Sequence, residues 1–197
     1  MTSNLVYFMP NTLRTFIGFE IPGEVLSQIH DLQARIKVYG LKIRWVRIEN
    51  IHLTLKFLGD VEAVKINEIA DAVSKSAQGY APISLQAKGI GAFPSIKRPR
   101  VLWVGLSGQL ESLVGLQKAL DENLEMLGFP KEKRPFKGHL TMGRIKDKIE
   151  VKKFGDALMD SRGFESEIFT ADRIILYKSE LKPSGAVYTK LKSAFLS

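Results

Sequence analysis

Ile51-His52-Leu53-Thr54-Leu55-Lys56-Phe57 decides the fold, and its core returns as His139-Leu140-Thr141-Met142 in the second half of the chain. In the first copy Ile51, Leu53, Leu55 and Phe57 alternate with His52, Thr54 and Lys56, the period-two signature of a half-buried strand. His52 and Thr54 therefore share a face. Leu140 and Met142 flank Thr141 in the same way, so His139 and Thr141 project together from a second apolar-backed strand. The 197 residues include three histidines and seven threonines, so a given histidine has roughly a 4% chance of a threonine two places on. Two such pairs among three histidines form a pattern. An imidazole exchanges a proton near neutrality and a hydroxyl donates a hydrogen bond to an anion, a pairing suited to phosphate.

Working outward, residues 13–20 read as a strand that ends before Pro22. A helix follows, with Val25, Leu26, Ile29, Leu32 and Ile36 on one face and Gly40 closing it. Residues 43–46 make a short strand, and the motif strand spans 51–58 until Gly59-Asp60 breaks it. Ile66, Ile69, Ala70, Val73 and Ala77 give a second amphipathic helix, stopped by Gly79. Strands are predicted over 83–87 and 101–106, with 89–99 between them as a glycine- and proline-bearing loop. A leucine-striped core helix starts at Gln109 and stops near Gly128. The basic 131–137 loop then delivers the second motif, followed by a short helix around Phe154 and strands over 164–170, 173–181 and 187–195.

The halves share the order strand, helix, His-x-Thr strand, helix, strand, a coarse internal repeat. The expected fold is α+β and bilobal: two β-sheet lobes related by a pseudo-twofold, helices packed outside, and a central cleft where the two His/Thr pairs face each other. No linker composition separates the halves. Residues 1–11 are expected to form a flexible leader and residues 12–197 a single bilobal domain.

Hydrophobic residues at 45% and charged residues at 25% describe an ordinary globular protein. The absence of cysteine excludes disulfides and thiolate metal sites and fits a reducing cytoplasm. A net charge of +8 leans toward an anionic partner, nucleic acid first. Lys97, Arg98 and Arg100 form one basic cluster, and Lys131, Lys133, Arg134 and Lys137 form another that runs into the second motif as a basic rim.

Two histidines on one phosphate can divide phosphoester cleavage, one taking a proton from the nucleophile and the other giving one to the leaving oxygen. Two threonine hydroxyls can hold the non-bridging oxygens. This scheme requires no metal and no cofactor, and the chain carries neither a zinc-type His-Glu-x-x-His motif nor a nucleotide-triphosphate loop. Arg144 falls on the face opposite His139 in strict alternation, but a bulge at Gly143 would turn it into a phosphate clamp. Lys56 either adds positive potential beside His52 or is solvated at the strand's end. Phe136 and Trp45 either stack on a base or pack. His30, without a threonine partner, is a surface or packing residue.

These residues resemble the two-histidine phosphoesterase superfamily and, more narrowly, the RNA 2′,3′-cyclic phosphodiesterases, also called 2′-5′ RNA ligases. Beyond the two motifs, the likeness includes Arg44-Trp45-Val46, Gly91-Ala92-Phe93-Pro94, Arg98-Pro99-Arg100-Val101-Leu102-Trp103, Arg134-Pro135-Phe136 and Tyr177-Lys178-Ser179-Glu180-Leu181, and it runs from about residue 13 to residue 195. The resemblance implies hydrolysis of an RNA 2′,3′-cyclic phosphate end to a 2′-phosphate, without metal or ATP, and reversible 2′-5′ ligation. It implies His52 as general acid and His139 as general base, although two similar imidazoles could exchange roles. Thr54 and Thr141 would hold the phosphate, with Arg144 assisting. The expected partner is an RNA end or nucleotide bound by a monomer, with no membrane. A non-catalytic RNA-end or nucleotide-binding module using the same cleft is the competing expectation.

Overall fold

The computed structural model describes residues 11–183 and 185–197, so the expected leader falls outside it except for Asn11. In chain order the elements are β1 (Thr12–Glu20), α1 (Gly23–Lys37), β2 (Arg44–Trp45), β3 (His52–Glu62), α2 (Ile66–Ala77), β4 (Ile83–Phe93), β5 (Val101–Gly108) and α3 (Leu110–Glu125). They continue with β6 (Leu140–Arg144), α4 (Val151–Asp160), β7 (Glu165–Ala171), β8 (Arg173–Lys182) and β9 (Gly185–Phe195). The strands pair antiparallel in the spatial order β7-β4-β5-β6-β3-β1-β8-β9, with β2 added to β6.

The sheet is pinched at its centre. β3 meets β6 through the pair Leu53↔Leu140, whereas β1 with β3 and β8 with β9 pair over long registers. Two lobes result, β3-β1-β8-β9 and β6-β5-β4-β7, joined at the two motif strands. The expected α+β bilobal architecture is thus present, with one refinement. β4 belongs to the first half of the chain but pairs with β5 in the second lobe, and β8 and β9 return to the first. Neither half of the chain holds a complete lobe, which is why no linker composition marks a boundary.

Leu53 and Leu140 are fully buried, and they share one core with Val25, Ile29, Leu32 and Ile36 of α1 and Leu113, Leu116, Leu120 and Leu124 of α3. Each of these side chains contributes roughly 1.5–3 kcal/mol on burial. The helices therefore cover the face opposite the motif histidines, and α2 packs on α3 and against β9.

Two expectations about glycines are overturned. β3 continues through Gly59 to Glu62, and β4 continues through Gly89 to Phe93 where a loop was expected. Both glycines have positive φ, 75° and 72°, and both lie near register shifts, so they act as strand bulges instead of strand ends. Gly91 is demanded by packing, since a Cβ there would lie 2.3 Å from the Trp103 ring.

A further bulge corrects the reading of Lys56. Gly18 pairs with Thr54 and Ile17 with Lys56, which leaves Leu55 without an opposite residue. The alternation changes phase at that point, so Phe57 is 63% exposed while Lys56 is only 3% exposed. Lys56 is therefore neither a cleft charge nor a solvated end. Its ammonium pairs with Asp121 on α3 and donates to the Pro130 carbonyl at 2.8 Å. Asp121 also accepts from Gln117 Nε2 at 3.0 Å and from the Glu132 amide at 3.3 Å. The network anchors the start of the basic loop to the motif strand.

Leaving either member of this pair buried alone is costly. Asp121→Ala should lower unfolding free energy by about 3–5 kcal/mol in urea titration, and adding Lys56→Met should recover most of that loss.

Candidate active site

Leu53 opposite Leu140 sets the register of the flanking residues. In an antiparallel pair that register places His52 opposite Thr141 and Thr54 opposite His139. Directly opposed side chains stand on the same face with Cβ atoms roughly 4.5–5.5 Å apart. The four side chains thus form one compact group on the cleft side, with both leucines buried beneath. Beside it, Trp103 is registered to Thr141 and Gly18 to Thr54. A Cβ on Gly18 would lie 2.4 Å from the Leu53 carbonyl oxygen, so no side chain can stand beside Thr54 on the β1 side.

The two imidazoles are held alike. His52 Nδ1 lies 2.8 Å from the Asn50 carbonyl oxygen, and His139 Nδ1 lies 2.8 Å from that of Lys137. A carbonyl only accepts, so each Nδ1 carries the proton and each Nε2 presents a lone pair in the neutral form. Asn50 is itself buried and fixed, because its Nδ2 donates to the Ala186 carbonyl of β9 at 2.8 Å.

Aromatic rings wall both sides. The His52 ring lies 4.6 Å from Phe16 and meets Tyr188 edge-on at 5.2 Å. His139 meets Phe93 edge-on at 5.0 Å, and the Lys137 ammonium sits 4.7 Å over Trp103 and 5.5 Å from Phe93. Burial is the leading reason both histidines are held below the ordinary imidazole value, partly offset by the carbonyl bonds to Nδ1. His139 and Arg144 push His52 further down, and Lys137 and Arg144 do so for His139. Burial also raises the Tyr188 and Tyr177 phenols, which keeps both protonated.

Arg144 follows a register shift in which Leu102 pairs with Gly143 and Trp103 with Thr141. Met142 and Gly143 are consequently both buried while Arg144 is exposed, with its charge felt by both imidazoles and by Tyr188. Gly143 is needed there because a Cβ would lie 2.5 Å from Ile43. Phe136 is placed differently. It is half-buried against the core and lines a cavity of about 410 Å³ with Trp103, Leu106, Leu113 and Lys137. Trp45 packs at the core's edge under the Lys37 ammonium, and His30 is exposed.

Sequence reasoning assigned no role to Phe16, Phe93, Trp103, Tyr188 or the Asn50 and Lys137 carbonyls. Phe93 and Trp103 stood inside stretches that carried the resemblance, which was a usable signal. Any residue type supplies a backbone carbonyl, and β9 reaches His52 only through pairing with β8, so Tyr188 and the carbonyls left none.

The LigT-like phosphoesterase family matches the chain twice, over residues 19–103 and 104–188. The RNA 2′,3′-cyclic phosphodiesterase of Methanocaldococcus jannaschii is 38% identical over 180 residues, covering 91% of this chain and 99% of the relative. That of Thermotoga maritima is 35% identical over 182 residues, covering 91% and 93%. A crystal structure of a Thermus thermophilus protein superposes with a TM-score of 0.76 at 26% identity, covering 93% of this chain and 98% of that one. Escherichia coli LigT complexed with 3′-AMP gives 0.74 at 24% identity, covering 94% and 99%. Each of the two consecutive matches contains one His-Leu-Thr strand, and together they span both lobes of the cleft: the chain belongs to the LigT-like phosphoesterase family.

Proposed function

We propose that this protein hydrolyses RNA 2′,3′-cyclic phosphate ends to 2′-phosphates, with 2′-5′ ligation and cleavage as related reactions of the same cleft. The observation that carries this is the Leu53↔Leu140 register, which sets an imidazole opposite a hydroxyl on both sides of one pseudo-twofold. The names of the relatives, RNA 2′,3′-cyclic phosphodiesterase in both cases, support it. Thr54 and Thr141 donate hydrogen bonds to the non-bridging oxygens, and Arg144 adds positive charge at the same rim.

His139, neutral and with Nε2 free, takes a proton from water as the water oxygen attacks phosphorus. The bond from phosphorus to the 3′ oxygen breaks, and protonated His52 gives that oxygen its proton through Nε2. One proton enters the histidine pair and one leaves it, so the acid and base states end exchanged and are reset through solvent. Mutual repulsion favours the singly protonated pair that this chemistry needs, because one imidazolium makes the second harder to form. A bound phosphate anion raises both affinities for protons and supplies the acid form at neutral pH. Phe136 contributes to the substrate's surroundings through the cavity it shares with Trp103. The working unit is residues 12–197 as one bilobal domain, acting as a cytoplasmic monomer on RNA. Among the described residues no helix is long and apolar enough to cross a membrane.

Phosphorus NMR of a 2′,3′-cyclic nucleotide incubated with the protein and EDTA should show the 2′-phosphate as the product. Binding without turnover would instead identify a non-catalytic module, and 3′-phosphate as the main product would refute the roles given above. His52→Ala and His139→Ala should each reduce kcat by about 10²–10⁴-fold, with circular dichroism unchanged. Thr54→Val and Thr141→Val should each cost about tenfold or more, as expected for a lost hydrogen bond to a charged oxygen. Since both imidazoles lie below 6.5 in the free protein, the base stays unprotonated into mildly acid solution. The acid limb of kcat/KM should therefore have its midpoint below 6.5. The same depression implies that stability contributed by the two neutral imidazoles is present above pH 6.5 and declines as pH falls through their folded values.

A further inference from the structure

The histidine and threonine group is large enough for one terminal phosphate, yet the surface continues beyond it in a particular direction. From the cleft an aromatic path leaves along β1 and β3: the His52 ring lies 4.6 Å from Phe16, and Phe16 lies 6.0 Å from Phe57. Phe57 is three residues along β3 from Thr54, roughly 10 Å at strand rise, and it is 63% exposed. A large aromatic ring therefore stands in solvent at the rim of the site. It is exposed because the Leu55 bulge exchanges it with Lys56, which goes into the core to meet Asp121.

Phe57 also walls an open pocket of about 450 Å³, whose other lining includes Pro130, Lys131, Glu132, Lys133 and Arg134, cationic on balance. Lys131 is paired with Glu125 at 3.0 Å, whereas Lys133 and Arg134 are exposed and have no carboxylate partner among the described residues. The Lys56 to Pro130 hydrogen bond ties this basic loop to the strand that presents Phe57. An exposed ring next to unpaired cations is the composition of a single-stranded nucleic-acid track, where bases stack and phosphates are neutralised without sequence readout. On the other side of the cleft the pocket around Phe136 is mostly apolar, and its Lys137 already lies over Trp103 and Phe93. That side suits a ring more than a chain of phosphates.

We infer that Phe57, Lys133 and Arg134 form a binding track for the single-stranded RNA body that precedes the terminal nucleotide. This inference rests on the reading of the cleft as a site for RNA cyclic phosphate ends. A cyclic phosphate caps the 3′ end, so the strand leaves the site in the 5′ direction only, and the track gives that strand a stacking surface and a cationic edge. The track makes an oligonucleotide a better ligand than a mononucleotide, which has no preceding nucleotide to lay along it.

The test measures fluorescence anisotropy of a 5′-labelled single-stranded RNA hexamer bearing a 3′-terminal phosphate, across a salt series, alongside hydrolysis of a 2′,3′-cyclic mononucleotide. Phe57→Leu, which keeps apolar bulk but removes the π face, should weaken hexamer binding about tenfold. Lys133→Glu combined with Arg134→Glu should weaken it by more and flatten the slope of log affinity against log salt by about 1.4, the value for two lost phosphate contacts to a single strand. Mononucleotide hydrolysis should be unchanged in all variants. If the hexamer binds the variants as tightly as the unaltered protein, or if mononucleotide turnover drops in parallel with hexamer binding, the track is wrong. If the unaltered protein binds the hexamer through these residues but turns over no cyclic phosphate, the track stands and the catalytic reading fails.

Discussion

Everything in the cleft depends on one backbone pairing, Leu53 against Leu140. Both side chains are fully buried in the core that α1 and α3 cover, so the neighbours on each strand must point the other way. A slip of one residue would drive His52 and Thr54 into that core and bring the leucines into water. The hydrophobic cost of such a slip, a few kcal/mol for two leucines alone, holds the chemical groups in register. Precision at the site is thus inherited from apolar packing on its reverse side.

The pseudo-twofold extends past the histidines to the way they are held. In each lobe the carbonyl two residues upstream accepts from Nδ1, and in each lobe aromatic rings exclude water from the imidazole. The symmetry stops at the next position out, where Gly18 stands beside Thr54 and Trp103 beside Thr141. A substrate with one phosphate and two unlike substituents needs such a difference, since a fully symmetric cleft would bind it in two orientations. The side without a ring next to its threonine is also the side on which Phe16 and Phe57 lead outward.

Bulges account for most of what departs from simple alternation. The one at Leu55 buries Lys56 and releases Phe57, and the one at Met142 and Gly143 leaves Arg144 exposed beside the site. Positive-φ glycines carry β3 and β4 past points where glycine usually ends a strand. A bulge adds one residue to one strand and is specified by what the partner strand and the neighbouring helix require. Lys56 illustrates this. Its place is set by Asp121, sixty-five positions away in the chain, and nothing in the 51–57 stretch records that partner.

The sequence by itself determined the two motif strands, their faces, the amphipathic helices and the pairing of the halves, because period-two and helical periodicities are local properties written into consecutive residues. It also limited the chemistry, since a chain without cysteine and with two His-Leu-Thr strands has few ways to handle a phosphate without a bound metal. Only the tertiary structure decided which strands sit side by side, and with it the exchange of β4 and of β8 and β9 between lobes. It alone supplied the Asn50 and Lys137 carbonyls, the Tyr188 and Phe93 walls, and the phase change that turns Phe57 outward. Those features arise from contacts between residues far apart in the chain, where register and backbone geometry, not residue type, set the outcome.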